Sequence, residues 1–432
     1  MTAEIAVMNR LAVALAADSA VTIETQAGQK VYNTVNKLFA LSKYEPIGIM
    51  IYGSAQFMGL PWETLIKGFR KGLGGTSFAH VDDYAERFLK FLTARGAFIT
   101  EEMERAYVRT MVTGCFSALC DEIDAAIKPE MERGPVTAER ISEIVNDRIR
   151  KEPEEWRALK NLPNFDAAFD QEFAVAYSET VAEAIGAVFE KLPLTAGSMA
   201  HLNDLACFLF CKDRLHSKAL SGVVVAGFGV EDVVPRLLAY ELAGLVCGRL
   251  IFKATDCVDV AKQDAIIIAF AQRDVASTFI EGIDPNLKAV LNSAFAEFLT
   301  RQLPPVLMGR DWGAGEARTG EAGRIQEFAN GVLAGFRQSL DAYIRVNHVQ
   351  PIITAVRALP IDELAAMAES LVSLTSFRRR MSTDPETVGG PIDVAVISKG
   401  DGFIWIKRKH YFRPELNPAF VANYYRKDPH YE

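Results

Sequence analysis

Cysteine and histidine are scarce in this chain, with six of each in 432 residues. Cys115, Cys120, Cys207, Cys211, Cys247 and Cys257 lack zinc-ligand spacing and are too sparse for a disulfide scaffold. A reduced, cytoplasmic protein is therefore expected. Cys207 and Cys211 stand four apart on an expected helix, but no nearby His or Cys completes a metal pair. They read as buried apolar thiols, and no metal or organic cofactor is expected. The histidines are scattered, with no HExxH motif. No apolar run reaches the length of a membrane span, and the first residues lack the basic region and cleavable apolar core of an export signal. Positive charge is also short: 47 Lys and Arg against 55 Asp and Glu leave a net charge of -8. That balance disfavours a general nucleic-acid binder. The glycine-rich stretch 308–323 lacks the strand–GxxxxGK(S/T)–helix order of a phosphate loop.

What is abundant is apolar sequence, half of all residues, enough for a large core. Residues 3–9 and 11–17 predict two short strands joined tightly at Asn9-Arg10, followed by an extended ribbon over 18–30 with Gly28 at its turn. Lys37–Ser42 and Ile47–Tyr52 are further strand candidates, separated by a turn at Tyr44-Glu45-Pro46. Helical patterning begins at Ser54, with Pro61 near a local start or kink, and a second helix follows at about 80–95. Residues 98–217 are almost wholly helical in character, punctuated by Pro153, Pro163 and Pro193. Strand character returns at 221–228, 248–254 and 264–271. A second helical stretch over 273–378 is interrupted by the loose segment 308–323. Two strands around Gly400-Asp401-Gly402 close the pattern. Helices that return between strands argue for layers, an α+β class.

The chemistry concentrates near the start. Removal of Met1 would leave Thr2 with both a hydroxyl and a free α-amine. A threonine hydroxyl needs a base to become a nucleophile, and an α-amine with a pKa of about 7.7–8 can be that base. Asp18 and Lys37 both fall in runs that read as buried sheet, where charges occur mainly in pairs. They form a buried ion pair, or sit at turns that expose them, or serve Thr2: Asp18 holds Lys37, whose ammonium lowers the pKa of the amine and hydroxyl. Gly53 ends a strand just before helical sequence; it is either a plain turn or an N–H donor to an oxyanion.

These residues resemble a β-type proteasome subunit of the N-terminal-nucleophile hydrolase superfamily, which includes bacterial proteasome-related peptidases. Thr2 and Asp18 reproduce the family's sixteen-residue spacing, DSAVT stands for its Asp-x-Arg-Ala-Thr motif, VNKLFAL for its lysine motif and IYGSAQ for its helix-opening glycine. Near the far end, DPETVGGPIDVAVISKGDG resembles the family's Asp-x-x-Ser-Gly-Gly segment and following strand. The resemblance implies catalytic roles for Thr2, Asp18, Lys37, Gly53, Asp384 and Thr387, and substrate-binding roles for Thr22, Ile51 and Ala55. The family's serine loop is replaced by AFAQRD, with Ala271 or Gln272 at the serine position. The implied fold is a four-layer αββα sandwich of two antiparallel sheets. Its discontinuous core would comprise 2–97, 218–280 and 360–420, with helical insertions at 98–217 and 281–359. The implied reaction is hydrolysis of an amide bond through an acyl-enzyme on Thr2, in a homo-oligomer acting on a peptide, a protein or a small amide, with neither nucleic acid nor membrane as partner. The alternative is an inactive proteasome-like scaffold or interaction subunit.

Overall fold

The computed structural model describes residues 3–25, 28–94, 98–215, 220–304, 316–382, 388–410, 412–419 and 422. The chain forms a mixed α+β architecture with two antiparallel five-stranded sheets and flanking helices. Its strands are β1 (Glu4–Asn9), β2 (Ala12–Ala17), β3 (Val21–Thr25), β4 (Gly28–Tyr32), β5 (Leu38–Ala40), β6 (Ile47–Gly53), β7 (Gln56–Phe57), β8 (Leu60–Pro61), β9 (Ser221–Gly227), β10 (Arg236–Val246), β11 (Arg249–Asp259), β12 (Ala265–Ala269), β13 (Asp393–Ser398) and β14 (Gly402–Lys407). The helices are α1 (Trp62–Leu73), α2 (Val81–Thr93), α3 (Glu101–Arg133), α4 (Ala138–Arg157), α5 (Phe169–Val188), α6 (Ala196–Cys211), the single turn α7 (Val260–Gln263), α8 (Arg273–Glu281), α9 (Pro285–Glu297), α10 (Glu316–Ile344), α11 (Gln350–Ala358) and α12 (Ile361–Arg380). Among the described residues no helix is long and apolar enough to cross a membrane.

The chain divides into two compact units: Met1–Thr34 with Val260–Ser398 and Ile404–Arg413, and Val35–Asp259 with Lys399–Phe403 and Pro414–Glu432. The first holds a sheet of order β12-β1-β2-β13-β14. Every residue of β1 and β2 is buried, so both faces read as apolar rather than alternating. On one face Ile5, Val7, Ala12, Ala14 and Ala16 pack with Val356 of α11 and with Leu364, Ala368, Leu371 and Val372 of α12. The small alanines of β2 let α12 lie close to the sheet. The turn between β1 and β2 is set by Asn9, whose Oδ1 accepts from the N–H groups of Leu11 (2.9 Å) and Ala12 (3.3 Å). Asn side chains commonly close turns in this way. The amide of Asn9 also donates to the carbonyls of Val356 (3.1 Å) and Leu359 (2.9 Å), satisfying the C-terminal end of α11. At the far strand, Asp393 is buried against the Lys409 ammonium and accepts from the Lys409 N–H at 2.8 Å.

The second unit holds a sheet of order β11-β10-β9-β6-β5. Ile47, Ile49 and Ile51 of β6 and Val223 and Val225 of β9 pack with Trp62, Leu65, Ile66 and Phe69 of α1 and Tyr84 and Phe88 of α2. Helices α3 to α6 enclose their own core, which reaches Ala243, Val246 and Ile251 of β10 and β11. Helices α3 to α6 thus form a helical layer built onto one end of this sheet.

Three local expectations differ from what is observed. Helix α1 begins at Trp62, directly after the Pro61 expected as a local start or kink, and the stretch from Ser54 before it is not helical, because Met58 (φ 50°) and Gly59 (φ 84°) reverse the chain between β7 and β8. Pro153 does not end a helix: α4 continues to Arg157, with Pro153 and Trp156 both buried in its last turns. Burial here outweighs the helix-breaking cost of a proline. Part of 308–323 lies outside the described residues, and from Glu316 onward the backbone is helical.

In the second unit, the loop before α2 and the loop after β9 are held together by Asp232. Its Oδ2 accepts from the N–H groups of Gly229 (2.8 Å) and Val81 (3.0 Å), and its Oδ1 lies 2.8 Å from His80 Nδ1. Lys399 Nζ donates to the carbonyl of Gly229 at 2.5 Å. The Asp232 hydrogen bond holds the His80 pKa above its ordinary value. The Asp232 pKa is lowered, although partial burial works against this, by the His80 bond and the two backbone donors. A raised His contributes stability that is complete below its unfolded pKa and lost as pH rises through the folded one. A lowered Asp contributes stability that is complete above its unfolded pKa and lost as pH falls through the folded one. The pair therefore stabilises most between about pH 4 and 6.5. The urea midpoint of His80→Ala, measured against the unsubstituted protein, is expected to differ most near pH 5–6, with the difference shrinking as pH rises through the raised His80 pKa. A difference independent of pH would show that the imidazole acts only by packing.

Candidate functional site

Asp18 follows β2 directly and is fully buried. Its Oδ1 accepts from the N–H of Ala3 at 3.1 Å, and its Oδ2 from the N–H groups of Ala20 (3.2 Å) and Gly389 (3.0 Å). The Asp18 N–H in turn donates to the Ala3 carbonyl at 3.1 Å. Three backbone donors make a charge-assisted cradle for the carboxylate and keep a buried charge satisfied. Ser19 extends the tie: its N–H donates to the Gly389 carbonyl at 3.2 Å and its hydroxyl to the Pro391 carbonyl. Gly390 (φ 77°) closes this turn against the chain after β4; a Cβ there would lie 2.8 Å from Asn33 Cβ and 2.9 Å from its carbonyl oxygen. One carboxylate thus joins the residue after Thr2 to the segment just beyond Thr387. Thr2, Asp384 and Thr387 themselves lie outside the described residues. Thr22 lies in β3, opposite Val31 of β4.

Lys37, Gly53, Ile51 and Ala55 belong to the second unit. Lys37 is buried immediately before β5, and its carbonyl accepts from the Ile51 N–H at 2.8 Å. With Leu38 opposite Met50, Lys37 sits across from Ile51 and two residues short of Gly53. Strands β5 and β6 thereby carry Lys37 and Gly53 at the same end of their sheet. Gly53 is exposed, has φ 77° and pairs with Ser221. A Cβ at Gly53 would stand 2.5 Å from the carbonyl oxygen of Leu220, so the position demands glycine on two counts. Beneath it, Ser221 Oγ accepts from Trp62 Nε1 at 3.0 Å and lies 3.3 Å from the carbonyl oxygens of Ser54 and Gln56. This anchors the strand-to-helix turn to the first residue of α1. Ile51 is buried in the apolar cluster under α1 and α2, while Ala55 is half-buried and its carbonyl caps the Trp62 N–H at 3.1 Å.

At AFAQRD, the Phe270 N–H donates to the Glu4 carbonyl at 3.0 Å, so this loop leaves the sheet beside the start of β1. Gln272 is left-handed (φ 50°) at the head of α8; its side chain accepts from Arg379, whose guanidinium also contacts Asp274 at 3.0 Å. An amide and an ion pair occupy the stretch where the resemblance expects serine.

The roles of Ser19, Gly389 and Ser221 are not legible in the sequence. Gly389 and Ser221 become visible only through partners far away in the chain, and the signals available were the Gly389-Gly390 pair before β13 and the serine at the start of β9. Compared with known proteins, the chain matches no family model, no curated protein and no solved structure.

Proposed function

We propose that this protein is a threonine-type amidohydrolase or peptidase, with Thr2 as an N-terminal nucleophile and its two sheets layered as in an αββα N-terminal-nucleophile fold. The observation that carries the reading is the Asp18 cradle. A buried carboxylate fixes the backbone N–H of Ala3, the residue after Thr2, and that of Gly389, close behind Asp384 and Thr387. A nucleophile at a chain terminus needs such anchoring, since positioning contributes as much to rate as the reactive group. In this reading the α-amine of Thr2 takes the hydroxyl proton, directly or through a water, and the hydroxyl oxygen attacks the carbonyl carbon of the amide. Lys37 supplies positive charge that lowers the pKa of amine and hydroxyl, Asp384 orients the amine with Thr387 beside it, and the Gly53 N–H stabilises the oxyanion. Thr22, Ile51 and Ala55 take the substrate roles, on a peptide, a protein or a small amide, in a homo-oligomer.

A second reading, an inactive scaffold on the same fold, is favoured by the Arg379–Gln272–Asp274 arrangement in place of a serine loop. One experiment separates the two. The protein is treated with an electrophilic peptide probe and analysed by intact mass and N-terminal sequencing. Hydrolase function predicts loss of Met1 and a single covalent adduct on Thr2, absent in Thr2→Ala. A retained or acetylated Met1, or processed protein that stays unlabelled across peptide and acyl-amide probes, sinks the catalytic reading.

A further inference from the structure

We propose that Asp170, Cys207 and Cys211 form a binding site for one thiophilic divalent cation, zinc in the first instance, which staples α5 to α6 in the helical layer. Cys207 and Cys211 are one turn apart on α6, so their thiols project from the same side of the helix. Asp170, the second residue of α5, faces them. The ligand atoms of all three lie within 4.8 Å of one another. Cys207 Sγ stands 3.3 Å from Asp170 Oδ1. Tetrahedral zinc, with sulfur at about 2.3 Å and oxygen at about 2.0–2.2 Å, separates those two atoms by about 3.5 Å. That edge of the tetrahedron is already at ligand spacing. Both cysteines are buried, at 6% and 2% exposure, while Asp170 is exposed, so the thiols sit inside the layer and the carboxylate closes the site at its surface.

The donor set selects the metal. Two thiolates and a carboxylate favour zinc or another soft cation over magnesium or calcium, which take oxygen ligands. A cavity of about 290 Å³, lined by Arg157, Asp170, Phe173, Asp204, Cys207 and Phe208 among others, adjoins the cluster and supplies both an entry path and room for a water as fourth ligand. Asp204, one turn before Cys207 and held by Arg157 at 2.7 Å, lines the same cavity. Binding displaces one proton from each thiol: the cation joins two thiolates and one carboxylate, and two protons pass to solvent. The resulting excess of one negative charge is offset by Lys212, the neighbour of Cys211, while Arg157 on the cavity wall balances Asp204. Without metal, the Cys207 thiol donates to Asp170 in its place.

The test uses the full chain, stripped with chelator under reducing conditions and titrated with cobalt(II) and then zinc. One equivalent of cobalt is expected to produce a thiolate-to-metal charge-transfer band in the near ultraviolet, which zinc displaces. The band is expected to vanish in Cys207→Ser and Cys211→Ser and to persist in Cys257→Ser. Asp170→Asn should weaken binding by more than the roughly 10–100-fold typical of losing an outer-shell partner. Because a cysteine variant can fail to fold, zinc protection is also read on the unsubstituted chain. Zinc should slow alkylation of Cys207 and Cys211 but not of Cys257. A band that survives Cys207→Ser, or the absence of both band and protection, overturns the site and leaves the trio as a thiol–carboxylate hydrogen bond.

Discussion

Replacing Asp18 with alanine is expected to lower stability by about 3–5 kcal/mol. The change removes acceptors from three buried backbone donors at once, the N–H groups of Ala3, Ala20 and Gly389. Each orphaned donor costs about 1–3 kcal/mol, and a water admitted to the vacated space recovers only part of it. Asp18→Asn keeps the volume and one oxygen, but turns an N–H₂ group toward donors that need an acceptor; a loss of about 1–3 kcal/mol is expected. Urea unfolding gives the magnitudes. Amide exchange gives the location, because protection at Ala3, Ala20 and Gly389 should fall before that of β9 and β10. A cost below about 1 kcal/mol for the alanine variant would show that the carboxylate is not what ties these segments together.

Gly53→Ala should cost about 2–4 kcal/mol. Two terms add. A left-handed φ of 77° is unfavourable for any residue with a Cβ, by about 1–2 kcal/mol. The new methyl would also meet the Leu220 carbonyl oxygen at 2.5 Å, which is backbone on the neighbouring side of the sheet and cannot rotate away. Gly59 separates the terms: its φ is 84°, yet a Cβ there meets nothing within 4 Å. Gly59→Ala should therefore show the conformational cost alone, and the two variants should differ by at least about 1 kcal/mol. Equal unfolding midpoints for both would remove steric crowding from the account. On the proposed mechanism the same shift displaces an oxyanion donor, so probe labelling of Gly53→Ala should slow by about 10²–10³-fold.

Elements with strong local signals were legible. The unbroken apolar runs of β1 and β2, the polar Asn9-Arg10 between them and the helical periodicity after residue 98 are properties of neighbouring residues, and they appear where expected. Asp18 and Lys37 stood out as charges in apolar sequence, and both are buried. What was not legible depends on residues distant in sequence. Nothing near His80 announces Asp232, nothing near Asp393 announces Lys409, and Asp170 completes a ligand set with Cys207 only because α5 and α6 pack together. The short β7–β8 hairpin was hidden for another reason. Pro61 marked a start or kink, but Met58 adopts a positive φ that its side chain disfavours, so the reversal before Pro61 was not announced by the apolar pattern.

The pairing of the first sheet also governs how the chain can be made. Asn9 pairs with Ala265 and Ala17 with Asp393, while almost all of the second unit lies between, in Val35–Asp259. During synthesis the β1–β2 hairpin leaves the ribosome long before either flanking strand exists. It must wait, apolar on both faces and with two open edges, while the intervening unit folds. Such late, non-local closure is slow and exposes strand edges to other chains. The same arrangement that lets Asp18 tie the start of the chain to Gly389 therefore delays the completed cradle until nearly the whole chain has been translated.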